Sequence, residues 1–495
     1  MAQCSVRTAT LVGVEAIQVD AEVDVGAGLP VFAIVGLADM AVQEARERVR
    51  SAVRASGFDL PNARVVVNLA PGPVRKHGTG FDLAIALGLL TATGQVPPRH
   101  AQECAAIGEL SLDGSVRSVP GMLAYALAAR NLSHPLIGPA DSSAALTLEG
   151  LDYRPISHLS QLRSRELPTK GVVRSHGVTS CNSTLDFVDV AGHDLAKRAL
   201  LIAAAGGHNV LMVGPPGSGK TMLARRLPTI LPPLDDRERL ETALIRSVAG
   251  MDESPSLAGD RPFRAPHHSA SIAGLVGGGA PPRPGEASLA HNGVLFLDEM
   301  PEFGPAALQA LRQPLEDGSI TLVRAEGRLR FPARFALVGA ANPCPCGFRG
   351  DRERACTCAP AAILRYQGRI GGPLMDRIDI VIDVARIDPA VLLGASTGPN
   401  SSDLREVVLA ARSRAMAREH GSTASLGGGA LLRACSLTEQ AKRFLEESAR
   451  AKHLSGRGVT RLLRVARTIA DVEGERTVGR DHLSEALGFR SREAG

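Results

Sequence analysis

The stretch "NVLMVGPPGSGKTMLARRL", residues 209–227, decides the fold of the longest part of this chain. An apolar run typical of a buried strand leads through a glycine-rich loop into a helical pattern. In that setting the glycines let backbone N–H groups surround phosphates, while Lys220 reaches the β- and γ-phosphates and the Thr221 hydroxyl binds Mg²⁺. The predicted nucleotide-binding residues are Gly214, Pro215, Pro216, Gly217, Ser218, Gly219, Lys220, Thr221 and Met222.

Two further apolar runs end in residues suited to nucleotide hydrolysis. "VLFLDE", residues 294–299, ends in Asp298, expected to hold Mg²⁺ through its water shell, and Glu299, expected to polarise the attacking water. "FALVGAAN", residues 335–342, ends in Asn342, whose amide can orient that water or contact the γ-phosphate. A strand that ends in an ordinary polar turn looks the same, but the phosphate loop on the same chain favours the catalytic interpretation.

The pattern along the chain predicts three regions. Residues 186–388 alternate strand-like runs with helical segments, which predicts an α/β nucleotide-binding core with a doubly wound parallel sheet. Residues 1–168 alternate short Val, Ile and Leu runs with helical patterns and predict a separate α/β domain. A polar linker is expected at 169–185, and an all-α domain at 389–495.

The composition narrows the class of protein. At 495 residues the chain exceeds one ordinary core, which agrees with several domains. It contains no Trp and three Tyr, so stacking of bases on aromatic rings is not expected to dominate a nucleic-acid contact. No apolar run approaches the ~18 residues of a membrane span, and the N-terminus lacks a signal-peptide pattern. A cytoplasmic protein with no membrane partner is therefore expected.

A basic hairpin is the first candidate for nucleic-acid contact. "DGSITLVRAEGRLRFPARF", residues 317–335, has the alternation and central turn of a β-hairpin. Its Arg324, Arg328 and Arg330 can contact phosphates without reading sequence. A solvated hairpin with ordinary surface charge is the alternative.

A glycine-rich loop is the second candidate. "RPFRAPHHSASIAGLVGGG", residues 261–279, offers Arg264, His267 and His268 for contact with nucleic acid. The paired histidines are also candidates for metal binding, although no Cys or further His accompanies them. A packed or capping role is the other alternative.

Half of the eight cysteines lie in "NPCPCGFRGDRERACTCAP", residues 342–360. Two Cys-x-Cys pairs joined by a short loop predict a tetrahedral Zn²⁺ site, structural because four thiolates leave no open position. Disulfides are the main alternative, but a cytoplasmic setting and the strain of adjacent pairing disfavour them. The predicted ligands are Cys344, Cys346, Cys356 and Cys358.

An arginine stands before the last strand-like run of the core. "GPLMDRID", residues 372–379, places Arg377 where it can reach the ATP of a neighbouring subunit and stabilise transition-state charge. A pair with Asp376 or Asp379 is the simpler alternative.

Several long segments carry a family resemblance. "GHDLAKRALLIAAAGGHNVLMVGPPGSGKTMLARRLPTILPPL", "FRAPHHSASIAGLVGGG", "PGEASLAHNGVLFLDEMPEF" and "LSGRGVTRLLRVARTIADV" closely resemble the YifB/ComM family of magnesium-chelatase-like AAA+ ATPases. The resemblance implies ATP, Mg²⁺ and a hexameric ring of identical subunits with a C-terminal helical lid. It also implies that Asn342 is sensor 1, Arg377 a trans-acting finger and Arg457 sensor 2, with Arg461 and Arg464 as alternatives.

The N-terminal region has a resemblance of its own. "RKHGTGFDLAIALGLL" and "AIGELSLDGSVRSVPGMLAYALAA" are similar to the catalytic domain of Lon proteases, a ribosomal S5 domain 2-like α/β fold with a Ser-Lys dyad. The serine and lysine positions fall on Gly80 and Leu123, which cannot do that chemistry. Thr79 and Lys76 lie nearby, but a shift would be needed, so a Lon-like domain without proteolysis is expected.

Three functions are consistent with these patterns. The preferred one is an ATP-hydrolysing ring motor on DNA. The family resemblance implies a helicase or branch-migration factor that acts on single-stranded or branched recombination intermediates in DNA uptake or repair. Recombination proteins are then candidate partners. A magnesium-insertion ATPase subunit is the second, although the Lon-like domain departs from the chelatase pattern. An ATP-dependent protease is the third.

Overall fold

The computed structural model describes residues 2–142, 145–146, 148–169, 185–324, 327–351, 353–388, 390–391, 398–419 and 423–490. The predicted linker at 169–185 therefore lies almost wholly outside the described residues. Between residues 2 and 169 a mixed sheet is built from β1 Ala2–Val12, β2 Glu15–Gly26, β3 Val31–Val35, β4 Arg64–Ala70, β5 Ala105–Ala106, β8 Leu136–Pro139 and β9 Tyr153–Ile156. A separate small pair is formed by β6 Glu109–Leu110 and β7 Val116–Arg117.

The sheet has the order β3-β4-β2-β1-β5-β8-β9 among the described strands. The long strands β1 and β2 form an antiparallel hairpin, β4 pairs antiparallel with β2, and the outer strands pair parallel. The helices are α1 Met40–Ala55, α2 Asp82–Ala92, α3 Arg99–Glu103 and α4 Met122–Asn131. Helix α2 is buried at each position from 82 to 90, which explains its almost uniformly apolar sequence.

The second sheet has five described strands, all parallel, in the order β11-β12-β15-β10-β16. They are β10 Val210–Val213, β11 Phe263–Arg264, β12 Gly293–Leu297, β15 Phe335–Ala341 and β16 Ile380–Asp383. Four of the five were predicted from their continuous apolar runs, which are typical of strands covered on both faces. The hairpin β13 Ser319–Arg324 and β14 Gly327–Pro332 precedes β15, as its alternation predicted.

Helices cover this sheet and lead into a helical region. In the core they are α5 Asp194–Gly206, α6 Lys220–Ile230, α7 Asp236–Val248, α8 Ser254–Ala258, α9 Ile272–Val276, α10 Glu286–Leu289, α11 Pro305–Ala310, α12 Arg312–Asp317, α13 Pro360–Gln367 and α14 Gly372–Met375. They are followed by α15 Ser401–Glu419, α16 Gly428–Cys435, α17 Glu439–Ala451, α18 Gly456–Glu473 and α19 Arg480–Gly488. Short 3₁₀ turns occupy Leu159–Arg163, Phe187–Asp189, Met300–Glu302, Gly368–Ile370 and Thr423–Ser425.

The C-terminal helices share a core with the parallel sheet. Leu200 of α5, Val338 of β15 and Ile469 of α18 belong to one cluster of buried apolar side chains. Helix α18 begins where Ser455 accepts a hydrogen bond from the Gly458 N–H, and it ends at Gly474 with φ +81°. No helix within the described ranges is both long enough and apolar enough to cross a membrane.

The direction of the five parallel strands separates the candidate residues into two groups. The residues that follow β10, β12 and β15, namely Gly214, Asp298 and Asn342, meet at the C-terminal edge of the sheet. Arg377 precedes β16 and lies at the opposite, N-terminal edge. This separation organises the sites described next.

Candidate active site

The phosphate loop connects β10 to the first turn of α6. Gly217 and Gly219 have φ of +75° and +84°, which L side chains rarely adopt. A side chain at Gly214 is excluded, because its Cβ would lie 2.1 Å from the Val384 carbonyl oxygen. The loop is therefore closely packed on the strand ends, and the buried Ser218 hydroxyl lies on its inner side, 3.5 Å from Lys220 Nζ.

Lys220 begins α6 and lies under this loop. Its Nζ donates hydrogen bonds to the carbonyl oxygens of Gly214 at 2.8 Å and Pro215 at 2.9 Å, and lies 3.4 Å from Asn342 Oδ1. Burial lowers the pKa of Lys220, while the carboxylates of Asp298 and Glu299 act in the opposite direction. The predicted lysine and sensor amide are thus in direct contact.

A hydroxyl and a carboxylate form the candidate magnesium site. Thr221 Oγ1 donates a hydrogen bond of 2.7 Å to Asp298 Oδ2. Oxygen atoms of these two types are the ligands that Mg²⁺ prefers, and the pair fits the ion directly or through its bound waters. The sequence predicted both residues for this role, and the structure brings them together.

Glu299 follows in a strained conformation. Its φ is +49°, unusual for a residue with a side chain, and its N–H donates to Asp298 Oδ1 at 3.0 Å. The Glu299 side chain is 56% exposed. An exposed carboxylate beside the candidate magnesium ligands is compatible with the predicted role of Glu299 in polarising water.

The loop after β11 approaches this carboxylate. His268 Nδ1 lies 3.9 Å from Glu299 Oε2, and His267 Nδ1 lies 2.8 Å from Ser269 Oγ. Residue-by-residue reading of the sequence missed this proximity and assigned both histidines to nucleic acid. Because β11 and β12 are adjacent parallel strands, the segments after them share an edge, and this pairing, which the sequence does not reveal, brings His268 close to Glu299.

The nucleic-acid prediction for Arg264 has no support from its surroundings. Its guanidinium donates two hydrogen bonds to the Glu286 carboxylate, at 2.6 and 2.7 Å. This bidentate pair occupies the Nε–Nη2 edge of the guanidinium, one of the edges through which an arginine binds phosphate. We therefore leave Arg264 out of the DNA-binding surface proposed below.

A cleft of about 1050 Å³ lies at the opposite edge of the sheet. Arg377 lines it and pairs with Glu316, rather than with Asp376 or Asp379, the partners weighed from the sequence. Arg457 lines the same cleft, with its Nη1 3.4 Å from Asp376 Oδ2. The two predicted arginines are therefore neighbours, at the edge away from Lys220 of the same chain.

The alternatives for sensor 2 differ in exposure. Arg457 is 67% exposed, whereas Arg461 is 8% exposed and donates to the Met375 and Ile378 carbonyl oxygens. Arg464 donates a hydrogen bond of 2.5 Å to the Leu426 carbonyl oxygen. Of the three, Arg457 has the guanidinium most accessible to another molecule.

Known proteins resemble this chain over its whole length. Residues 186–392 match the family described as "Magnesium chelatase, subunit ChlI", residues 21–141 match "Subunit ChlI of Mg-chelatase", and residues 398–490 match "Magnesium chelatase, subunit ChlI C-terminal". YifB of Salmonella typhimurium is 41% identical across 99% of this chain and 97% of its own length. Competence protein ComM of Haemophilus influenzae is 43% identical across 97% of this chain and 96% of its own length.

The chain belongs to the YifB/ComM family of magnesium-chelatase-like proteins. It is an AAA+ ATPase of that family, a class that works as oligomers. The magnesium-chelatase 38 kDa subunit of Rhodobacter capsulatus is a more distant relative, 27% identical over 60% of this chain and 84% of its own length. The match over residues 21–141 runs against the expectation that the N-terminal region departs from the chelatase pattern.

The basic hairpin of this YifB/ComM protein leaves its predicted arginines exposed. Arg324, Arg328 and Arg330 are exposed, and none forms an ion pair with another described residue. The hairpin packs on the turn between β1 and β2, where a Cβ at Gly13 would lie 3.2 Å from the Arg330 carbonyl oxygen. Beside it is a pocket of about 400 Å³ that Arg75, Arg283 and Arg324 line from three separate segments.

The four predicted zinc ligands converge. The Sγ atoms of Cys344, Cys346, Cys356 and Cys358 all lie within 4.8 Å of one another. The Cys344–Cys346 separation is 3.4 Å, and Cys356 lies 3.6 Å from each of them. A tetrahedron of thiolates at about 2.3 Å from Zn²⁺ has edges of about 3.8 Å, so these cysteines fit that ion. The N–H groups of Phe348 and Thr357 lower the pKa of the Cys346 thiol to about 6.

The N-terminal region holds no Ser-Lys pair at the positions expected from Lon proteases. Gly80 has no side chain, and Leu123 packs against Ala243 of α7 in the core. The nearby Thr79 donates its hydroxyl to Glu109, while Lys76 donates to the Pro71 carbonyl oxygen at 2.5 Å. Each side chain is thus bonded to a different group, and the residues lack the nucleophile-base contact that proteolysis needs.

Proposed function

We propose that this chain is an ATP-hydrolysing motor that acts on DNA, and the Thr221–Asp298 hydrogen bond beside Lys220 carries the hydrolytic half of the proposal. Bound Mg²⁺ supplies charge neutralisation between the phosphates. Lys220 exchanges its two carbonyl partners for the β- and γ-phosphates. Glu299 accepts a proton from the attacking water, and Asn342 holds that water in line with the γ-phosphate.

The site is completed by a second copy of the chain. Arg377 and Arg457 lie together at the sheet edge away from their own Lys220, where both line a cleft of about 1050 Å³. In a closed ring, head-to-tail contacts place that edge against the next subunit's phosphate loop. We propose a hexamer in which Arg377 stabilises transition-state charge in trans and Arg457 acts as sensor 2.

Mixing two inactive variants tests this arrangement. Arg377→Ala retains an intact phosphate loop and Lys220→Ala retains an intact finger, so mixed rings contain some sites with both groups. We expect each variant alone to lose hydrolysis by about 1000-fold, and their mixture to recover a measurable fraction of the wild-type rate. Wild-type activity of Arg377→Ala rings alone would show that Arg377 is not needed for hydrolysis. No recovery in verified mixed rings would show that Arg377 does not act on a neighbouring subunit's site.

The DNA half of the proposal rests on the exposed hairpin. Three arginines without ion-pair partners among the described residues, next to a pocket lined by two more, provide a concentrated positive surface. Such a surface binds the phosphate backbone without sequence preference. One 43% identical relative is named a competence protein, which supports recombination intermediates in DNA uptake or repair as the setting.

DNA-stimulated hydrolysis and its salt dependence test the DNA half. We expect single-stranded and four-way DNA to stimulate wild-type ATPase activity, and four-way DNA to undergo branch migration. The Arg324→Ala/Arg328→Ala variant should bind more weakly, with the slope of log affinity against log salt reduced by roughly 1 to 2. Arg237→Ala, which removes an exposed arginine paired with Glu241 on α7, is the matched control. If DNA neither binds nor stimulates the assembled wild-type protein, the motor proposal fails.

The family resemblance favours a magnesium-insertion subunit as the second candidate. A 27% identical relative is a magnesium-chelatase subunit, and all three family matches carry that description. This candidate predicts hydrolysis that is insensitive to DNA and to the hairpin variant. The same measurements therefore separate the two functions. The N-terminal region is proposed to be Lon-like in fold and to cleave no peptides.

The four cysteines are proposed to bind one structural Zn²⁺ per chain. Four thiolates at tetrahedral spacing leave no position for substrate, so the ion would hold the segment after Asn342 in place. Metal analysis of the purified protein, compared with Cys356→Ser/Cys358→Ser, tests the assignment. About one zinc per chain in the wild type and none in the variant is expected.

A further inference from the structure

The cysteine cluster lies directly against the phosphate loop. Gly347, one residue after the second cysteine ligand, is buried and has φ of +84°. A Cβ built on it would lie 2.6 Å from Cδ and 2.9 Å from Cγ of Pro216. The backbone of the cluster therefore touches the proline ring of the loop with no room for a methyl group between them.

A second contact joins the two elements on the catalytic side. Asn342, whose Oδ1 accepts a hydrogen bond from Lys220 Nζ at 3.4 Å, is two residues before Cys344. Cys344 is fully buried, and its carbonyl oxygen accepts the Gly347 N–H at 2.9 Å. A short closed turn thus runs from the Lys220 contact, through two metal ligands, to the Pro216 contact.

The turn is also fixed on its outer side. The Gln367 side chain donates to the Pro343 carbonyl oxygen at 3.1 Å, which holds the entrance to the turn against α13. Arg386, on the segment after β16, lies 3.4 Å from Asp351 Oδ2 and over the Phe348 ring. The cluster is therefore held from outside, and its inner surface faces the phosphate loop.

We propose that metal binding at the four cysteines and nucleotide binding at the phosphate loop are thermodynamically coupled through the contact between Gly347 and Pro216. The inference rests on the proposed Zn²⁺ site. With the metal bound, four thiolates fix the turn and support Pro216 in the phosphate-binding conformation. Without it, the thiols separate, the turn loosens, and ordering the loop is left to the nucleotide alone.

Coupling of this kind is reciprocal. If Zn²⁺ strengthens nucleotide binding by some factor, nucleotide must strengthen Zn²⁺ binding by the same factor. We expect about a tenfold effect, within the usual range for coupled sites. Zinc-loaded protein should bind a fluorescent ATP analogue about tenfold more tightly than zinc-free protein, and a non-hydrolysable ATP analogue should slow zinc transfer to a coloured chelator to a similar extent.

Two glycine variants separate coupling from general damage. Gly347→Ala places a methyl group against Pro216, whereas Gly350→Ala is a matched control, since Gly350 has φ of +78° but no atom within 4 Å of its added Cβ. Both should retain one zinc per chain. Gly347→Ala should bind nucleotide as weakly as zinc-free wild type, with no further loss when zinc is removed. Gly350→Ala should keep the tenfold difference.

Different results would refute the zinc site and the coupling between zinc and nucleotide. Protein without bound zinc would refute the metal site and this inference together, whatever DNA does to its ATPase activity. Zinc-bound protein whose nucleotide affinity does not depend on zinc, or a Gly347→Ala variant that keeps the full difference, would refute the coupling alone. If zinc-free protein does not stay folded, the rate of zinc transfer with and without nucleotide decides, because that measurement starts from loaded protein.

Discussion

Two buried lysines show how differently the two α/β regions use charge. Lys220 in the core and Lys76 in the N-terminal region are 9% and 0% exposed, both donate to backbone carbonyl oxygens, and burial lowers the pKa of each. Lys220 also faces Asn342 and, across the phosphate loop, the Thr221–Asp298 pair. Lys76 donates to the Pro71 carbonyl oxygen, and the hydroxyl of the nearby Thr79 donates to Glu109 rather than to Lys76.

Two carboxylates, Asp298 in the core and Asp82 in the N-terminal region, show the same difference between the two regions. Asp298 is half-buried at an open sheet edge and shares its oxygens with a hydroxyl that can turn to a metal ion. Asp82 is fully buried, accepts two hydrogen bonds from Arg48 at 2.6 and 3.0 Å, and accepts another from the Leu110 N–H. Buried charge marks a binding site where its partners can exchange for a ligand, and marks structure where its partners are complete.

The largest expected effect on ATP hydrolysis comes from replacing each of the two lysines in turn. Lys220→Ala should lower ATP hydrolysis by about 1000-fold, because it removes the cation that contacts the developing phosphate charge. Lys76→Met should leave hydrolysis within about twofold, since it replaces a buried ammonium by an apolar chain of similar length. Phosphate release measured on folded protein decides. Equal loss in both variants would contradict the distinction drawn between the two regions.

The parts that sequence alone predicted are those with local patterns. The four core strands, the hairpin and the cysteine pairs follow from apolar runs, alternation and spacing, and the phosphate loop follows from its glycines. The sequence also supplied Thr221, Asp298 and Asn342, because parallel strands bring their C-terminal ends to one edge.

The rest depends on contacts between distant segments. The pair of Arg377 with Glu316 and the bond from Thr79 to Glu109 join residues 61 and 30 positions apart, with no periodic pattern to connect them. Helix α16 lies in the region expected to be helical, but its own sequence "GGALLRAC" does not predict a helix, since it begins with glycines that favour other conformations. His268 was assigned to nucleic acid because a charged or aromatic loop residue gives no indication of which strand its loop adjoins.

A smaller effect is expected where the N-terminal region contacts the core. Leu123 is 1% exposed, packs on Ala243, and its N–H donates to Ser247 Oγ at 3.2 Å. Leu123→Lys, which restores the Lon-type lysine, would bury an unpaired charge there and should cost about 3 kcal/mol or more of unfolding free energy. Gly80→Ser should cost about 1 kcal/mol or less, because nothing lies within 3.6 Å of the added Cβ.

Urea unfolding of the full chain checks these values, with Leu123→Met as the control of similar volume. That variant should cost less than about 1.5 kcal/mol. The combined Gly80→Ser/Leu123→Lys protein should cleave no casein, because its lysine faces the core helix. A stable double variant with peptidase activity would show that the Lon-type site had been lost by those two substitutions alone, and that Leu123 is not a structural contact.

The smallest expected effect concerns pH and the Arg48–Asp82 pair. Burial raises the pKa of Asp82 to about 6, although Arg48 opposes the shift. A raised folded-state pKa means that this carboxyl contributes most to stability below its unfolded value of 3.8, and that the contribution is lost as pH rises through about 6. Relative to Asp82→Asn, which does not titrate, the wild type should therefore lose roughly 2 kcal/mol of unfolding free energy between pH 4 and pH 7.

Measuring the difference between wild type and variant at each pH removes the contribution of the other titrating groups. The ATPase rate of Asp82→Asn, taken at pH 7 where both proteins are folded, should equal that of the wild type, because the pair completes its hydrogen bonds within the N-terminal region. A stability difference independent of pH would mean that Asp82 stays ionised throughout, with Arg48 fully offsetting its burial.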